Sequence, residues 1–226
     1  MVTGTVLFAD RAEAGRLLAE PIVARHFHDA IVYALPRGGT PVAFEIAKRL
    51  DAPLELALVR KIGAPGNPEL ALAAVADGGL DSVVVNEDIL RLTGASEAYL
   101  RQEATRELAE IERRRRVYLG ERPRPDPRGR TVIIVDDGLA TGATARVAVK
   151  ALRHQGAARI VLAVPVAPPD TASLLRGEVD DLVCLSEPES FRGVGAFYRD
   201  FHQLTDSEVI DLLRRAATFG GVPPPA

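Results

Sequence analysis

Residues 131–144 read TVIIVDDGLATGAT, and this stretch decides the fold. Four apolar residues, Val132–Val135, lead directly into the carboxylates of Asp136 and Asp137. A short apolar run that ends at turn residues is typical of a strand buried on both faces of a parallel sheet. Open α/β sheets bind their ligands at the carboxyl ends of such strands. We therefore expect both acids to lie in a ligand site at the edge of a parallel sheet.

The segment after the two acids consists of small and hydroxyl-bearing residues. It leads into a predicted helix over about 145–155, which Gly156 ends. The backbone N–H groups of such a loop and the helix dipole together favour an anion. The acids can accept hydrogen bonds from hydroxyl groups, so the expected ligand carries a phosphate and adjacent hydroxyls. In the alternative interpretation the acids only cap backbone amides, but one acid would suffice for that.

The sequence VIIVDDGLATGAT closely resembles the phosphoribosyl-pyrophosphate (PRPP) signature of type I phosphoribosyltransferases. The resemblance implies a Rossmann-like α/β fold with a mostly parallel sheet flanked by helices and a small hood built from the chain ends. It also implies that Asp136 and Asp137 hold the ribose 2′ and 3′ hydroxyls, while the loop Ala140–Thr144 holds the 5′-phosphate. Magnesium would enter with PRPP and take at most Asp136 and Asp137 as direct protein ligands.

A second strand–turn–helix unit precedes this one. The predicted strand Ile31–Leu35 is followed by the turn PRGG and a predicted helix over about 40–50. By the resemblance, Arg37, Gly38 and Gly39 bind pyrophosphate, and the Arg37–Gly38 peptide bond is expected to be cis. Glycine suits a turn whose backbone approaches a ligand closely or needs a positive φ. The alternative is an ordinary strand-to-helix turn with an exposed arginine.

A predicted strand over Leu54–Val59 delivers Arg60 and Lys61 into KIGAPGNPEL, which its glycines, prolines and asparagine mark as a loop. The matching loop of the family closes over the active site, excludes water and carries basic residues to the pyrophosphate. The alternative is that Arg60 and Lys61 are only solvated. The residues that the resemblance assigns to PRPP are Arg37, Gly38, Gly39, Arg60, Lys61, Asp136, Asp137, Gly138, Ala140, Thr141, Gly142, Ala143 and Thr144. Of these, Arg37, Lys61, Asp136 and Asp137 are the predicted catalytic residues.

The remaining segments predict helices, a hairpin and an aromatic cluster. A helix begins after Asp10, and its Arg11 is expected to be solvated, with contact to a ligand as the alternative. Strands over 70–76 and 82–85 predict a hairpin. A long helix over about 96–119 carries the run Arg113–Arg116, which its interleaved acids indicate is a solvated face. Phe197 and Tyr198 are candidates for stacking on an acceptor base, with an aromatic core as the alternative.

Composition limits the class of protein and its location. The 226 residues carry a formal net charge of −3, which gives no basic footprint for nucleic acid. The single cysteine excludes an intramolecular disulfide, and no apolar run is long enough for a membrane span. No signal segment is recognisable, so we expect a cytoplasmic protein. We predict one phosphoribosyltransferase domain over 1–217, with its core at about 25–185, its hood from 1–24 and 186–217, and a disordered tail over 218–226.

The resemblance to type I phosphoribosyltransferases implies a pentosyl transferase of nucleotide metabolism. It would move the 5-phosphoribosyl group from PRPP to a nitrogen of a nucleobase-like acceptor and release pyrophosphate. A homodimer is compatible with this prediction. The family members that act on 6-oxopurines have an aspartate three residues after the second acid, where this chain has Ala140. The alternatives are a PRPP-binding regulator without turnover and a hydrolase of phosphoribosyl compounds.

Overall fold

The computed structural model describes residues 8–77, 79 and 82–221. The strands are β1 (Ala30–Ala34), β2 (Leu54–Leu56), β3 (Val59–Ala64), β4 (Asn67–Ala76), β5 (Val83–Val85), β6 (Thr131–Val135), β7 (Arg159–Val166) and β8 (Asp181–Ser186). The α-helices are α1 (Arg11–Val23), α2 (Gly39–Leu50), α3 (Glu87–Thr93), α4 (Glu97–Leu119), α5 (Ala143–His154), α6 (Pro169–Arg176) and α7 (Asp206–Arg215). The main sheet is parallel and has the strand order β2-β1-β6-β7-β8. The predicted α/β class, a parallel sheet flanked by helices, is confirmed.

The central strand is buried on both faces. Val132 and Ile134 pack with the residues of α5 and α6, whereas Ile133 and Val135 point into the core shared with α1 and α2. All four side chains are fully buried. Alternate side chains of a strand point to opposite faces, so a strand covered on both sides needs a continuous apolar run. This requirement explains the sequence pattern of β6.

The register of β1 and β6 determines where the site lies. The two strands are neighbours and pair along their whole length, from Ala30 opposite Thr131 to Ala34 opposite Val135. They therefore end level at the carboxyl edge of the sheet. The glycine turn after β1 and the acid pair after β6 are brought side by side as a result.

A second, antiparallel sheet has the order β3-β4-β5. The predicted loop over 61–70 is wrong, because this segment forms the adjoining ends of β3 and β4 with a turn at residues 65–66. Gly63 lies at a register shift, so here glycine marks an irregularity within a strand. Ile62 is buried in a core that includes Ile111 of α4. The predicted hairpin that joins β4 to β5 is confirmed.

The first described residue, Phe8, pairs with residues 197–199 beside the acid pair. The Phe8 N–H donates to the Phe197 carbonyl at 2.8 Å, and the Phe8 carbonyl accepts from the Arg199 N–H at 2.9 Å. Phe8 and Tyr198 also pack ring against ring, with centroids 5.3 Å apart. Residues 1–7 of the predicted hood lie outside the described residues.

The prediction of a disordered tail over 218–226 is wrong for Phe219 and Gly220, which pack against the fold. The rings of Phe44 and Phe219 pack with centroids 5.6 Å apart, and the Gly220 N–H donates to the Asp51 carboxylate at 3.2 Å. Residues 222–226 lie outside the described part of the chain. Among the helices of the described ranges, none combines the length and the apolar character that a membrane span needs.

Candidate active site

The acid pair lies immediately after β6, where burial alters its ionisation. The Asp136 carboxylate accepts a hydrogen bond from the Asp137 N–H at 2.9 Å. Burial raises the pKa of both carboxyl groups, and the adjacent Asp137 charge raises the pKa of Asp136 further. Two neighbouring carboxylates with little water resist double ionisation. A ligand that donates hydrogen bonds to both carboxylates would stabilise their ionised forms.

Arg11 is part of this site, so the prediction that it is solvated is wrong. Its side chain is 9% exposed, and its Nε donates to the Asp137 carboxylate at 2.8 Å. Nη1 donates to the His202 carbonyl at 3.0 Å, and the guanidinium lies 3.8 Å from the ring centroid of Phe201. The pairing with Arg11 opposes the effect of burial on the pKa of Asp137. No pattern in the sequence identifies this contact, because it joins residues 126 positions apart.

The glycine turn contacts the acid pair directly. A Cβ atom at Gly38 would lie 2.2 Å from an Asp137 carboxylate oxygen, and one at Gly39 would lie 2.5 Å from the Val135 carbonyl oxygen. Gly38 has φ −58°, so the glycine is required by this close approach and a positive φ plays no part. The cis peptide bond of the turn is Pro36–Arg37, one bond before the predicted position.

The loop between β6 and α5 presents backbone donors. The Leu139 N–H is used within the fold, because it donates to the Val166 carbonyl at 2.9 Å. Within the described residues, the N–H groups of Ala140, Thr141 and Gly142 make no hydrogen bond. Gly142 has φ +69° and stands directly before the first residue of α5. Unpaired N–H groups at a helix N-terminus are suited to an anion.

The acid pair, Arg11 and the glycine turn meet at a pocket of about 350 Å³, called here the acid pocket, whose lining does not include the predicted PRPP residues Gly39 and Gly138 or the loop Ala140–Thr144. It combines two carboxylates, two guanidinium groups and an aromatic ring. Its lining residues are Arg11, Arg37, Gly38, Asp136, Asp137, Phe201, His202, Gln203 and Leu204. The acid pair and the glycine turn, which the sequence predicts as separate motifs, therefore share one pocket with the C-terminal part of the hood.

The family model of the phosphoribosyl transferase domain matches residues 10–202. The match runs from the start of α1 to the hood residues that line the acid pocket. This chain belongs to the phosphoribosyl transferase family.

Two relatives show how far the likeness extends. Rv0571c of Mycobacterium tuberculosis H37Rv, provisionally named a phosphoribosyl transferase, is 44% identical over 210 residues. That alignment covers 93% of this chain and 47% of Rv0571c, so the chain spans about half the length of this curated relative. The crystal structure of TT1426 from Thermus thermophilus is also similar. Its sequence is 43% identical to this chain, and the two structures have a TM-score of 0.78. Here 92% of this chain and 97% of TT1426 are covered.

Two basic residues assigned to PRPP lie outside the walls of the phosphoribosyl transferase acid pocket. Arg60 and Lys61 are on β3 in the second sheet. The Arg60 Nε donates to a Glu107 carboxylate oxygen at 2.6 Å, which ties β3 to α4. The predicted loop that would carry them to the ligand is instead a pair of strands. Their role in PRPP binding stays a prediction.

The predicted acceptor contacts, Phe197 and Tyr198, are core residues. Their exposed fractions are 3% and 6%, and the Tyr198 hydroxyl donates to the Asp137 carbonyl at 2.5 Å. Neither ring offers a face for stacking, so this prediction is wrong and the alternative of an aromatic core is correct. Phe201, which no sequence motif singles out, is the aromatic residue that lines the phosphoribosyl transferase pocket. Its position at the pocket depends on the hood pairing, which no local pattern reveals.

The metal-binding capacity of the site is limited to the acid pair. Among the described residues, no group of three or more His, Cys, Asp or Glu side chains could hold a metal ion. The two adjacent carboxylates suit an ion that takes one or two protein ligands and completes its shell with substrate oxygens and water, as Mg²⁺ does. The acid pair therefore fits a metal ion that takes most of its ligands from a bound molecule and water.

Proposed function

We propose that this chain transfers the 5-phosphoribosyl group from PRPP to an acceptor nitrogen and releases pyrophosphate. The contact between the glycine turn and the acid pair carries the proposal. A side chain at position 38 would lie 2.2 Å from the Asp137 carboxylate, so the ribose and pyrophosphate contacts would be as close as they are within PRPP. Membership of the phosphoribosyl transferase family supports the transferase class.

Each part of PRPP has a chemically matched partner. Asp136 and Asp137 would accept hydrogen bonds from the two ribose hydroxyls, because ionised carboxylates are strong acceptors. The loop Ala140–Thr144 would donate its N–H groups to the 5′-phosphate at the N-terminus of α5. Arg37 and the backbone N–H of Gly38 would hold the pyrophosphate, whereas the Gly39 N–H already donates to the Leu35 carbonyl at 2.9 Å.

Catalysis would depend on electrostatic stabilisation of a sugar that becomes cationic as pyrophosphate leaves. The carboxylates of Asp136 and Asp137, which line the acid pocket, would stabilise that positive charge, and the Arg37 guanidinium of the same pocket would stabilise the negative charge of the leaving group. Lys61 would add a second cation only if β3 and its neighbour β4 move toward the pocket. We assign no covalent intermediate to this site.

Magnesium fits the proposal as a companion of PRPP. When bound, it would neutralise part of the pyrophosphate charge. Asp136 and Asp137 would hold it through one or two oxygens at most, while the ribose hydroxyls and water complete its shell. Ligand binding would then lower the raised pKa values of the two acids, because a nearby cation favours the ionised form.

The acceptor would bind between the acid pair and the hood. Phe201 and Leu204 supply apolar surface there, and His202 supplies a titratable group. The Glu208 and Asp200 carboxylates, 3.0 and 3.1 Å from its ring nitrogens, raise the pKa of His202 and so favour its proton-donating form. Ala140 offers no acid from the loop. A nitrogen heterocycle such as a nucleobase matches these surroundings.

Pyrophosphate release separates this function from its alternatives. Purified protein with PRPP and Mg²⁺ should release pyrophosphate in the presence of one member of a panel of nucleobases and related heterocycles, and not in its absence. Release without any acceptor would favour the hydrolase, and PRPP binding without release would favour the regulator. A cytoplasmic location, one domain over residues 1–217 and a role in nucleotide metabolism are proposed on the sequence patterns alone.

A further inference from the structure

The arginine run of α4 divides into buried and pocket-facing residues. Arg115 is 5% exposed and pairs with Glu55 at 3.3 Å, so the predicted solvated face is wrong for this residue. Arg113 and Arg114 line a pocket of about 340 Å³ that also includes Pro36 and Arg37 of the glycine turn. We call it the α4 pocket, and its lining residues are Pro36, Arg37, Arg113, Arg114, Val117, Tyr118 and Asp206.

The α4 pocket carries more positive than negative charge. Of its three guanidinium groups, that of Arg37 lies 3.6 Å from the Asp206 carboxylate, and those of Arg113 and Arg114 pair with Glu110 at 2.8 and 2.9 Å. Two carboxylates against three guanidinium groups leave one net positive charge. A pocket with this balance favours an anion.

Hydrogen-bond donors remain available inside the pocket. Arg114 uses only its Nε, toward Glu110, and its two terminal nitrogens make no hydrogen bond within the described residues. The contact between Arg37 and Asp206 is 3.6 Å, which is an ion pair beyond hydrogen-bond distance. Each guanidinium therefore retains N–H groups that can point at a bound anion.

Asp206 already holds the place of an anion in this pocket. Its carboxylate accepts a hydrogen bond from the Tyr118 hydroxyl at 2.6 Å and faces Arg37. Because Asp206 is 59% exposed, it can turn toward water at little cost. An incoming anion would then find Tyr118 and Arg37 as donors together with Arg114.

We propose that the α4 pocket binds the pyrophosphate group of a small molecule. Planar guanidinium forks match phosphate oxygens in pairs, and a volume of about 340 Å³ accommodates two linked phosphates. Arg37 lines both this pocket and the acid pocket. A pyrophosphate in the α4 pocket therefore binds a side chain that also faces the PRPP site. Only this coupling depends on the proposed function; binding of the anion does not.

Calorimetry with sodium pyrophosphate tests the site. Arg114→Gln should weaken binding at least about tenfold, the loss expected when a charge-assisted hydrogen bond to phosphate is removed. Val117→Glu should weaken it similarly, because it places a carboxylate on the exposed rim of the same pocket. The matched control is Arg116→Gln, since Arg116 is a 67% exposed neighbour outside the lining, and its affinity should stay within about twofold of the wild type.

A second titration identifies the source of the pyrophosphate. Binding of pyrophosphate to PRPP-saturated wild type, lost in Arg114→Gln, indicates a separate ligand. Displacement of pyrophosphate by PRPP, with weaker PRPP binding by Arg114→Gln, would mean that the pocket only receives the pyrophosphate of PRPP, and it would overturn a separate site. If PRPP does not bind at all, the proposed function fails while an Arg114-dependent pyrophosphate site stands. Unchanged pyrophosphate affinity in both folded variants, or no binding by the wild type, overturns the site.

Discussion

Replacing Arg11 by glutamine removes the positive partner of Asp137 from a buried site. The side chains of Arg11 and Asp137 are only 9% and 12% exposed, so water replaces little of the lost contact. Breaking a buried pair by removing one partner costs about 3–5 kcal/mol, because it leaves an uncompensated charge. The free energy of unfolding should fall by about this amount at pH 8. Many domains have a total stability of about 5–15 kcal/mol, so the variant should still fold.

The effect of Arg11→Gln should shrink as the pH falls. Burial already raises the pKa of Asp137 above its value in the unfolded chain, and the loss of Arg11 raises it further. An acid whose pKa is raised on folding stabilises the fold when protonated, below the unfolded pKa. That stability is lost as the pH rises through the folded pKa. Near pH 4 the variant should therefore approach the wild type, because a protonated Asp137 needs no cationic partner.

Urea unfolding between about pH 4 and pH 8 measures both parts of this prediction. The control is Arg16→Gln on the same helix, because Arg16 is 58% exposed and lies 3.8 Å from its partner Glu45. It should change the unfolding free energy by less than about 0.5 kcal/mol at any pH. A loss below about 1 kcal/mol for Arg11→Gln at pH 8, or a loss that does not vary with pH, would refute the reasoning.

Three further outcomes follow from the site. Asp136→Asn should weaken PRPP binding by about 1.5–3 kcal/mol, the range for a hydrogen bond to a charged group, with little loss of stability. Calorimetry that finds unchanged affinity would contradict the ribose assignment. Crystals grown from sulfate should hold an anion at the N–H groups of Ala140–Thr144, and a loop whose N–H groups all bind protein instead would count against the cradle. Guanine and hypoxanthine should be poor acceptors, because Ala140 supplies no carboxylate and a general acid or base contributes about 10²–10⁴-fold. A kcat/KM above about 10⁴ M⁻¹s⁻¹ for either base would overturn this.

The parts of the fold that a local pattern determines could be predicted from the sequence. The β6 strand, the acid pair and the start of α5 follow from a continuous apolar run and a loop of small residues. The position of the glycine turn follows as well, because strand–turn–helix units repeat in one direction around a parallel sheet. The family resemblance of the motif then assigned partners to each part of PRPP.

Predictions from the sequence missed or misassigned the features that depend on tertiary contacts. The glycines and prolines of residues 61–70 indicate a loop, but bulged pairing and packing against Ile111 make strands of it. Arg11 resembles any arginine at the start of an amphipathic helix until the fold brings it to Asp137. The cluster around Phe197 and Tyr198 has the same composition whether it binds a base or fills a core. Each of these outcomes depends on neighbours distant in the chain.

The absent side chain at position 38 makes Gly38 and Asp137 an epistatic pair. Because Gly38 has an ordinary helical φ, its backbone would accept alanine, and the three atoms nearest to an added Cβ all belong to the Asp137 carboxylate. A larger residue could appear at position 38 after Asp137 had become smaller, but that change would also remove the proposed ribose contact and the partner of Arg11. Neither substitution can therefore come first: a side chain at position 38 collides with Asp137, and a smaller residue at position 137 loses both contacts. The two positions should evolve as one unit for as long as the site keeps its ligand.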